Sequence, residues 1–112
     1  MTKVVHCMRE NYDVYIGRGR DPKTGKYSKW GNPFSYKEGT IAKYKVNSLE
    51  ECLQKYKEWI VKQDDLMKEI PKLKGKTLGC WCKPKEGFKG RVLCHGQILA
   101  ALAEGVNPED IE

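Results

Sequence analysis

A chain of 112 residues, 39% hydrophobic and 32% charged, has room for one modest core and is too apolar to be a disordered segment. No apolar run approaches the roughly 20 residues of a membrane span, and MTKVVHCMREN lacks a signal peptide's apolar stretch, so a cytoplasmic protein with no membrane partner is expected. The net charge of +6 is concentrated in residues 17–34 (Arg18, Arg20, Lys23, Lys26, Lys29 against Asp21) and 72–91 (seven cations against Glu86), which favours an anionic partner.

In chain order, KVVHC (3–7) and DVYIG (13–17) read as short strands with a turn at RENY between them. In the second, Val14 and Ile16 share one face and Tyr15 takes the other. Residues 17–34, GRGRDPKTGKYSKWGNPF, are too rich in glycine, proline and charge for a core element, and a polar connector runs on to Asn47. Ser48 followed by Glu51 is a capping box, and Leu49, Cys52, Leu53, Tyr56, Trp59 and Ile60 repeat at helical spacing as a core-facing stripe. Asp64 or Asp65 opens a second short helix with Leu66, Met67 and Ile70, stopped near Pro71.

KTLGCWC (76–82) is the third strand, with Leu78, Cys80 and Cys82 on one face and Gly79 and Trp81 on the other. After a loop, CHGQILAALAEG forms a helix ended by Gly105. Residues 1–106 make a single domain, and 107–112 read as a frayed acidic tail. The order strand, strand, helix, strand, helix predicts a small open α/β sheet, mostly parallel, with two to three helices. Such sheets bind ligands beyond the carboxyl ends of their strands. Here those ends lead into GRGRDP and CWCKP, so the two odd segments are expected to converge.

Two constellations carry chemistry. In the first, Gly17, Gly19 and Gly31 allow close backbone approach, Arg18, Arg20 and Lys29 offer cationic donors, Trp30 offers a stacking face, and Asn32 sits in a Gly-Asn-Pro turn. No phosphate-loop signature GxxxxGK[ST] is present. In the second, Cys82 ends a strand while Cys94, His95 and Gly96 open a helix, where N–H groups attract anions and lower a thiol's pKa. The spacing C-x-C-x11-C-H departs from zinc knuckles, and adjacent Cys94 and His95 are strained as joint ligands, so no metal and no cofactor are expected. Cys80, facing with Leu78, reads as a buried inert thiol.

These motifs resemble the family called DUF4326, scattered through bacteria and their phages. Its patterns Y-x-G-R, K-W-G-N-P-F, C-W-C and C-H-G occur as Tyr15–Arg18, Lys29–Phe34, Cys80–Cys82 and Cys94–Gly96, and the likeness spans nearly the whole chain. Many members pass almost directly from C-W-C-x-P to C-H-G, whereas KEGFKGRV intervenes here, which counts against a fixed metal knuckle. The resemblance implies the fold, the site's location and a bacterial or phage-infected cytoplasm, but no reaction. A weaker likeness, to DUF488, places a similar Cys-His pair before a helix beside a sheet end.

The function expected is binding of a nucleotide-type, phosphate-bearing small ligand. Arg18, Gly19, Arg20, Lys29, Trp30, Gly31, Asn32, Cys82, Cys94, His95 and Gly96 would line its pocket. Arg18, Arg20 and Lys29 would meet phosphates, Trp30 would stack the base or ribose, and the helix start would hold a second phosphate. For a phage-associated family, the use would be sequestration of a nucleotide signal in host defence. The first alternative is an enzyme acting on a nucleotide or nucleoside derivative, with Cys94 or Cys82 as nucleophile, His95 as base, and Asp13 or Asp21 nearest to orient it. The second is a nucleic-acid-binding domain, which no recognised RNA- or DNA-binding signature supports.

Overall fold

The computed structural model describes residues 2–35, 44–81, 83, 87–88, 92–107 and 110–111. The chain runs β1 (Lys3–His6), β2 (Val14–Tyr15), β3 (Phe34–Ser35), β4 (Tyr44–Lys45), α1 (Leu49–Ile60), α2 (Asp64–Glu69), a 3-10 turn (Ile70–Leu73), β5 (Thr77–Cys80) and α3 (His95–Ala103). Three strands form a parallel sheet in the order β1-β5-β2, with Val4 and Val14 both opposite Leu78. The chain is therefore the small α/β domain that its element order predicts.

Local chemistry explains the helices. The Ser48 hydroxyl accepts from the Glu51 N–H at 3.1 Å, and Cys52, Tyr56 and Ile60, spaced by four, are the buried stripe of α1. In α2, the proline at the start of the following 3-10 turn ends the α-helical ladder, as expected near Pro71. In α3, Cys94 is the N-cap and Gln97 closes the reciprocal bond.

Strand alternation sets the layers. Val4, Ile16, Leu78 and Cys80 face the helices and meet Tyr56, Ile60, Ile98 and Leu99 in the main core. Each such fully buried aliphatic side chain contributes roughly 1.5–3 kcal/mol. Val5, Cys7, Tyr12 and Tyr15 form a second, smaller cluster on the opposite face. Gly96 sits where α3 crosses the sheet. A Cβ there would lie 2.6 Å from Ile16 Cδ1 and 3.1 Å from Val4 Cγ1, so any side chain would push these core residues or the helix aside.

Two features differ from the sequence reading. First, β1 and β2 are separated by β5, and residues 7–13 are more than a turn. After Arg9 and Glu10 N–H groups donate to His6 O, the segment crosses back over β5 with Tyr12 against Gly79. It ends at Asp13, whose N–H donates to Thr77 O and whose carboxylate accepts from the Thr77 N–H, each at 2.8 Å. Second, the connector after residue 34 contributes the two-residue parallel pair β3–β4, marked by Phe34 and Tyr44 rings stacked 5.2 Å apart. Elements this short leave no periodicity to read. In the acidic tail, Ile111 packs on the core and its carbonyl accepts from Lys57 Nζ at 3.0 Å.

Candidate functional site

The carboxyl ends of the three parallel strands all lie at one end of the sheet. There β1 runs into Cys7–Asn11, β5 into Trp81 and β2 into Gly17–Arg20. The start of α3 meets the same end, because His95 Nε2 lies 2.6 Å from Ile16 O. The expected convergence of the loop with the Cys94-His95-Gly96 segment is thus a feature of the fold. Cys82 lies outside the described residues.

The helix start is dry. Cys94 is wholly buried and His95 is 4% exposed. The Gly96 N–H donates to Cys94 Sγ at 3.3 Å, and Gln97 Oε1 accepts from the Leu93 and Cys94 N–H groups. Gly96 therefore serves helix–sheet packing and its N–H is taken internally, in place of the open phosphate cradle expected from its sequence position. Burial pushes the His95 pKa down, the nearby Arg18 charge pushes it further, and the Ile16 carbonyl pulls it up. The ring is neutral at pH 7, so Nε2 carries the proton that it donates to Ile16 O. Tyr56 packs on the imidazole with ring centroids 5.0 Å apart. Cys80 and Cys94 sulfurs approach to 3.1 Å beside it.

Arg18 is the cation that follows β2 at this end of the sheet. Gly31 lets the backbone of residues 17 and 18 pass, since a Cβ on Gly31 would lie 3.0 Å from Gly17 O and 3.3 Å from Arg18 Cα. The Arg18 carbonyl accepts from Tyr15 OH at 2.5 Å, and Tyr15 OH accepts from Trp81 Nε1 at 2.7 Å. Ile16, two residues before Arg18, is tied to α3 through its carbonyl, so the entry to the loop is held there as well as at the Arg18 carbonyl. Gly19, at φ 76, turns the chain away immediately afterwards. Among the described residues the Arg18 side chain has no hydrogen-bond or ion-pair partner.

The rest of the loop serves packing. In its first half Asp21 accepts from Tyr12 OH, and Lys23 Nζ sits 4.0 Å from the Tyr12 ring centroid, so residues 21–23 close the sheet face that has no helix. Desolvation raises the Asp21 pKa, but the Tyr12 hydroxyl and the Lys23 N–H outweigh it and hold the carboxyl below the usual range. Burial first, then the Asp21 bond, push the Tyr12 hydroxyl up to about 12. Arg20 is exposed over the Tyr27 ring, and Lys29 pairs with Glu69.

Trp30 turns inward. It is 4% exposed, belongs to the main core, and its carbonyl accepts from Tyr56 OH at 2.8 Å. Asn32 is likewise buried: Oδ1 accepts from the Phe34 N–H at 2.8 Å, and Nδ2 donates to Cys52 Sγ at 3.2 Å. Both residues fasten the loop to α1. The structure therefore brings together Arg18, Gly31 and His95, and carries Arg20 and Lys29 to other surfaces.

Neither expected orienting carboxylate reaches His95, since Asp21 bonds Tyr12 and Asp13 caps Thr77. Among the described residues no group of three or more His, Cys, Asp or Glu side chains could hold a metal ion. Among them, too, no helix is long and apolar enough to cross a membrane. The DUF4326 pattern, a domain of unknown function, matches residues 2–105. This chain belongs to the DUF4326 family. It is 37% identical over 106 residues to an uncharacterized protein of Acanthamoeba polyphaga mimivirus, covering 92% of this chain and 75% of that protein. No solved structure matches it. In this DUF4326 domain Y-x-G-R supplies Tyr15, which fixes the Arg18 carbonyl, while K-W-G-N-P-F binds the loop to α1 and C-H-G packs α3 on the sheet.

Sequence reasoning assigned Trp81 only to a strand face, yet it is 48% exposed at the same end of the sheet. The available signal was its parity with Gly79, which put it on the face away from the long helices.

Proposed function

We propose that the carboxyl end of the sheet binds a small nucleotide-type ligand by its phosphate, with Arg18 as the anchor. The observation that carries this reading is Arg18, a half-buried arginine without a partner for its side chain among the described residues. Its backbone is held at both sides, and no carboxylate or carbonyl among the described residues answers it. A planar donor fork carried on a held backbone, close enough to the neutral His95 for its charge to bear on the ring, is suited to a phosphate, with the buried Cys94–His95 helix start as the floor. The floor supplies shape and low dielectric, and the charge comes from the arginine. The use we propose is retention of a nucleotide signal, in keeping with a family that includes a viral protein. The Cys–His alternative draws no support from a thiol and an imidazole engaged in capping and packing, with Asp13 and Asp21 bonded elsewhere.

The test is calorimetric titration of wild type and Arg18→Ala with nucleoside mono-, di- and triphosphates, beside thermal melts. Loss of a charge-assisted contact, about 1.5–3 kcal/mol, weakens binding roughly ten- to more than a hundredfold. The melt should hardly move, because among the described residues the side chain has no hydrogen-bond or ion-pair partner to lose. Affinity should fall only weakly with salt, as one or two phosphate contacts require, unlike the steep dependence of a nucleic-acid binder. Unchanged affinity together with a large drop in Tm would make Arg18 scaffold and refute the reading.

A further inference from the structure

Trp81 is half exposed yet fixed in place. Its Nε1 donates to Tyr15 OH at 2.7 Å, and its ring meets His6 edge-on at 5.7 Å and 85°. Gly17 makes room for its pyrrole edge, since a Cβ there would come within 2.9 Å of Trp81 Cδ1. The indole's polar group is thus satisfied inside the protein, and what remains outward is apolar ring surface. A large aromatic surface held rigid at a ligand-binding edge loses little entropy when something stacks on it.

A polar cavity of about 480 Å³ opens at the end of the neighbouring β1, lined by Cys7, Met8, Arg9, Glu10, Asn11 and Lys23. His6 joins it to Trp81, because His6 Nδ1 accepts from the Met8 N–H at 3.2 Å while its ring abuts the indole. The cavity's size falls in the range of small-ligand sites. Its edge offers both a carboxylate (Glu10) and an amide (Asn11), the donor and acceptor types that read a base. Across the sheet the order is therefore polar cavity after β1, aromatic face after β5 and Arg18 after β2. With neighbouring strands roughly 4.8 Å apart, the row spans on the order of 10 Å.

We propose that Trp81 is the stacking platform for the ligand's base, with the base's polar edge directed into the cavity beyond β1. This rests on Arg18 holding the phosphate, and it names the ligand class as a nucleoside monophosphate laid across the sheet end from β1 to β2. Trp81 takes the stacking role that sequence pattern alone gives to Trp30.

The test uses the full chain and two kinds of probe: the 5′-monophosphates of the four common ribonucleosides, and ribose 5-phosphate, which has the phosphate without a base. Wild type should bind at least one nucleoside monophosphate more tightly than ribose 5-phosphate, with quenching of tryptophan fluorescence. Trp81→Ala should weaken the nucleotide roughly five- to 150-fold while leaving ribose 5-phosphate unchanged. Trp81→Phe, which keeps a stacking face, should retain most of the calorimetric affinity and lose the quench, giving a readout even if the alanine variant folds poorly. If Trp81→Ala binds nucleotide as wild type does, or weakens both probes equally, the platform is refuted. If both probes bind alike and Arg18→Ala loses both, the anchor stands and the platform falls. If wild type binds neither, both fall together.

Discussion

Replacing Gly79 with alanine tests how the sheet face without helices is closed. The new Cβ would lie 2.5, 2.8 and 2.9 Å from Tyr12 Cγ, Cδ1 and Cβ, where ordinary contact begins near 3.4 Å. These are root atoms of the side chain, so a rotamer change cannot clear them, and the crossing segment must lift by roughly 1 Å. Overpacking of this kind costs about 1–3 kcal/mol. Lifting Tyr12 also weakens its bond to the Asp21 carboxylate and its stack under Lys23. A hydrogen bond to a charged partner is worth about 1.5–3 kcal/mol. The smaller unfolded-state entropy of alanine returns about 0.4–1 kcal/mol. We expect a net loss of about 2–4 kcal/mol by urea denaturation, a Tm roughly 8–16 °C lower. In a Tyr12→Gly background all three of those atoms are gone, and the same substitution should cost less than about 1 kcal/mol. A Gly79→Ala variant as stable as wild type, or one equally damaging in both backgrounds, would refute this account.

His95 gives a pH dependence. Its folded pKa is below the ordinary value of about 6.5, so between the two values the unfolded chain binds more protons; stability is full above about pH 6.5 and declines as pH falls below it. Thermal melts from pH 8 to pH 5 should show that decline, and His95→Gln, which can still donate to Ile16 O, should flatten it; an unchanged profile would remove His95 as the cause. Tyr56→Phe leaves the Trp30 carbonyl without its buried donor, costing about 1–3 kcal/mol, or roughly 4–12 °C in Tm, and exposing residues 17–34 to faster proteolysis. An unchanged melt and cleavage rate would show that the K-W-G-N-P-F segment is held by other contacts.

Much of this arrangement is legible from residue spacing. The Ser48 cap, the Cys52–Tyr56–Ile60 stripe, and the opposite facing of Tyr15 and Ile16 follow from local rules, and the structure repeats them. Meeting of the loop and the α3 start follows from parallel topology. Strand order was not legible, because the pairing of Lys3 with Thr77 joins residues 74 apart and leaves no local signature. Nor was the direction of loop side chains. Trp30 and Asn32 have the chemistry of ligand contacts, but in irregular backbone no periodicity says which way a side chain points, and both turn toward α1. Gly96 is ambiguous for another reason: the absence of a side chain serves anion binding and close packing equally, and only its distance from Ile16 decides between them.

The central position of β5 has a consequence for synthesis. Strands β1 and β2 are complete once residue 15 has left the ribosome, yet in the sheet neither touches the other, and the strand that joins them begins at residue 77. A nascent chain shorter than about eighty residues therefore lacks the three-stranded sheet, whatever helix or β3–β4 pair it has formed. Each ladder closes only over sixty or more intervening residues, so folding is slow to nucleate and strongly cooperative once begun. The late strand must slide between two waiting partners and beneath the bridge made by residues 7–13, where Tyr12 passes over it. A side chain at position 79 would meet that bridge during insertion as well as afterwards, so glycine there sets the clearance for assembly.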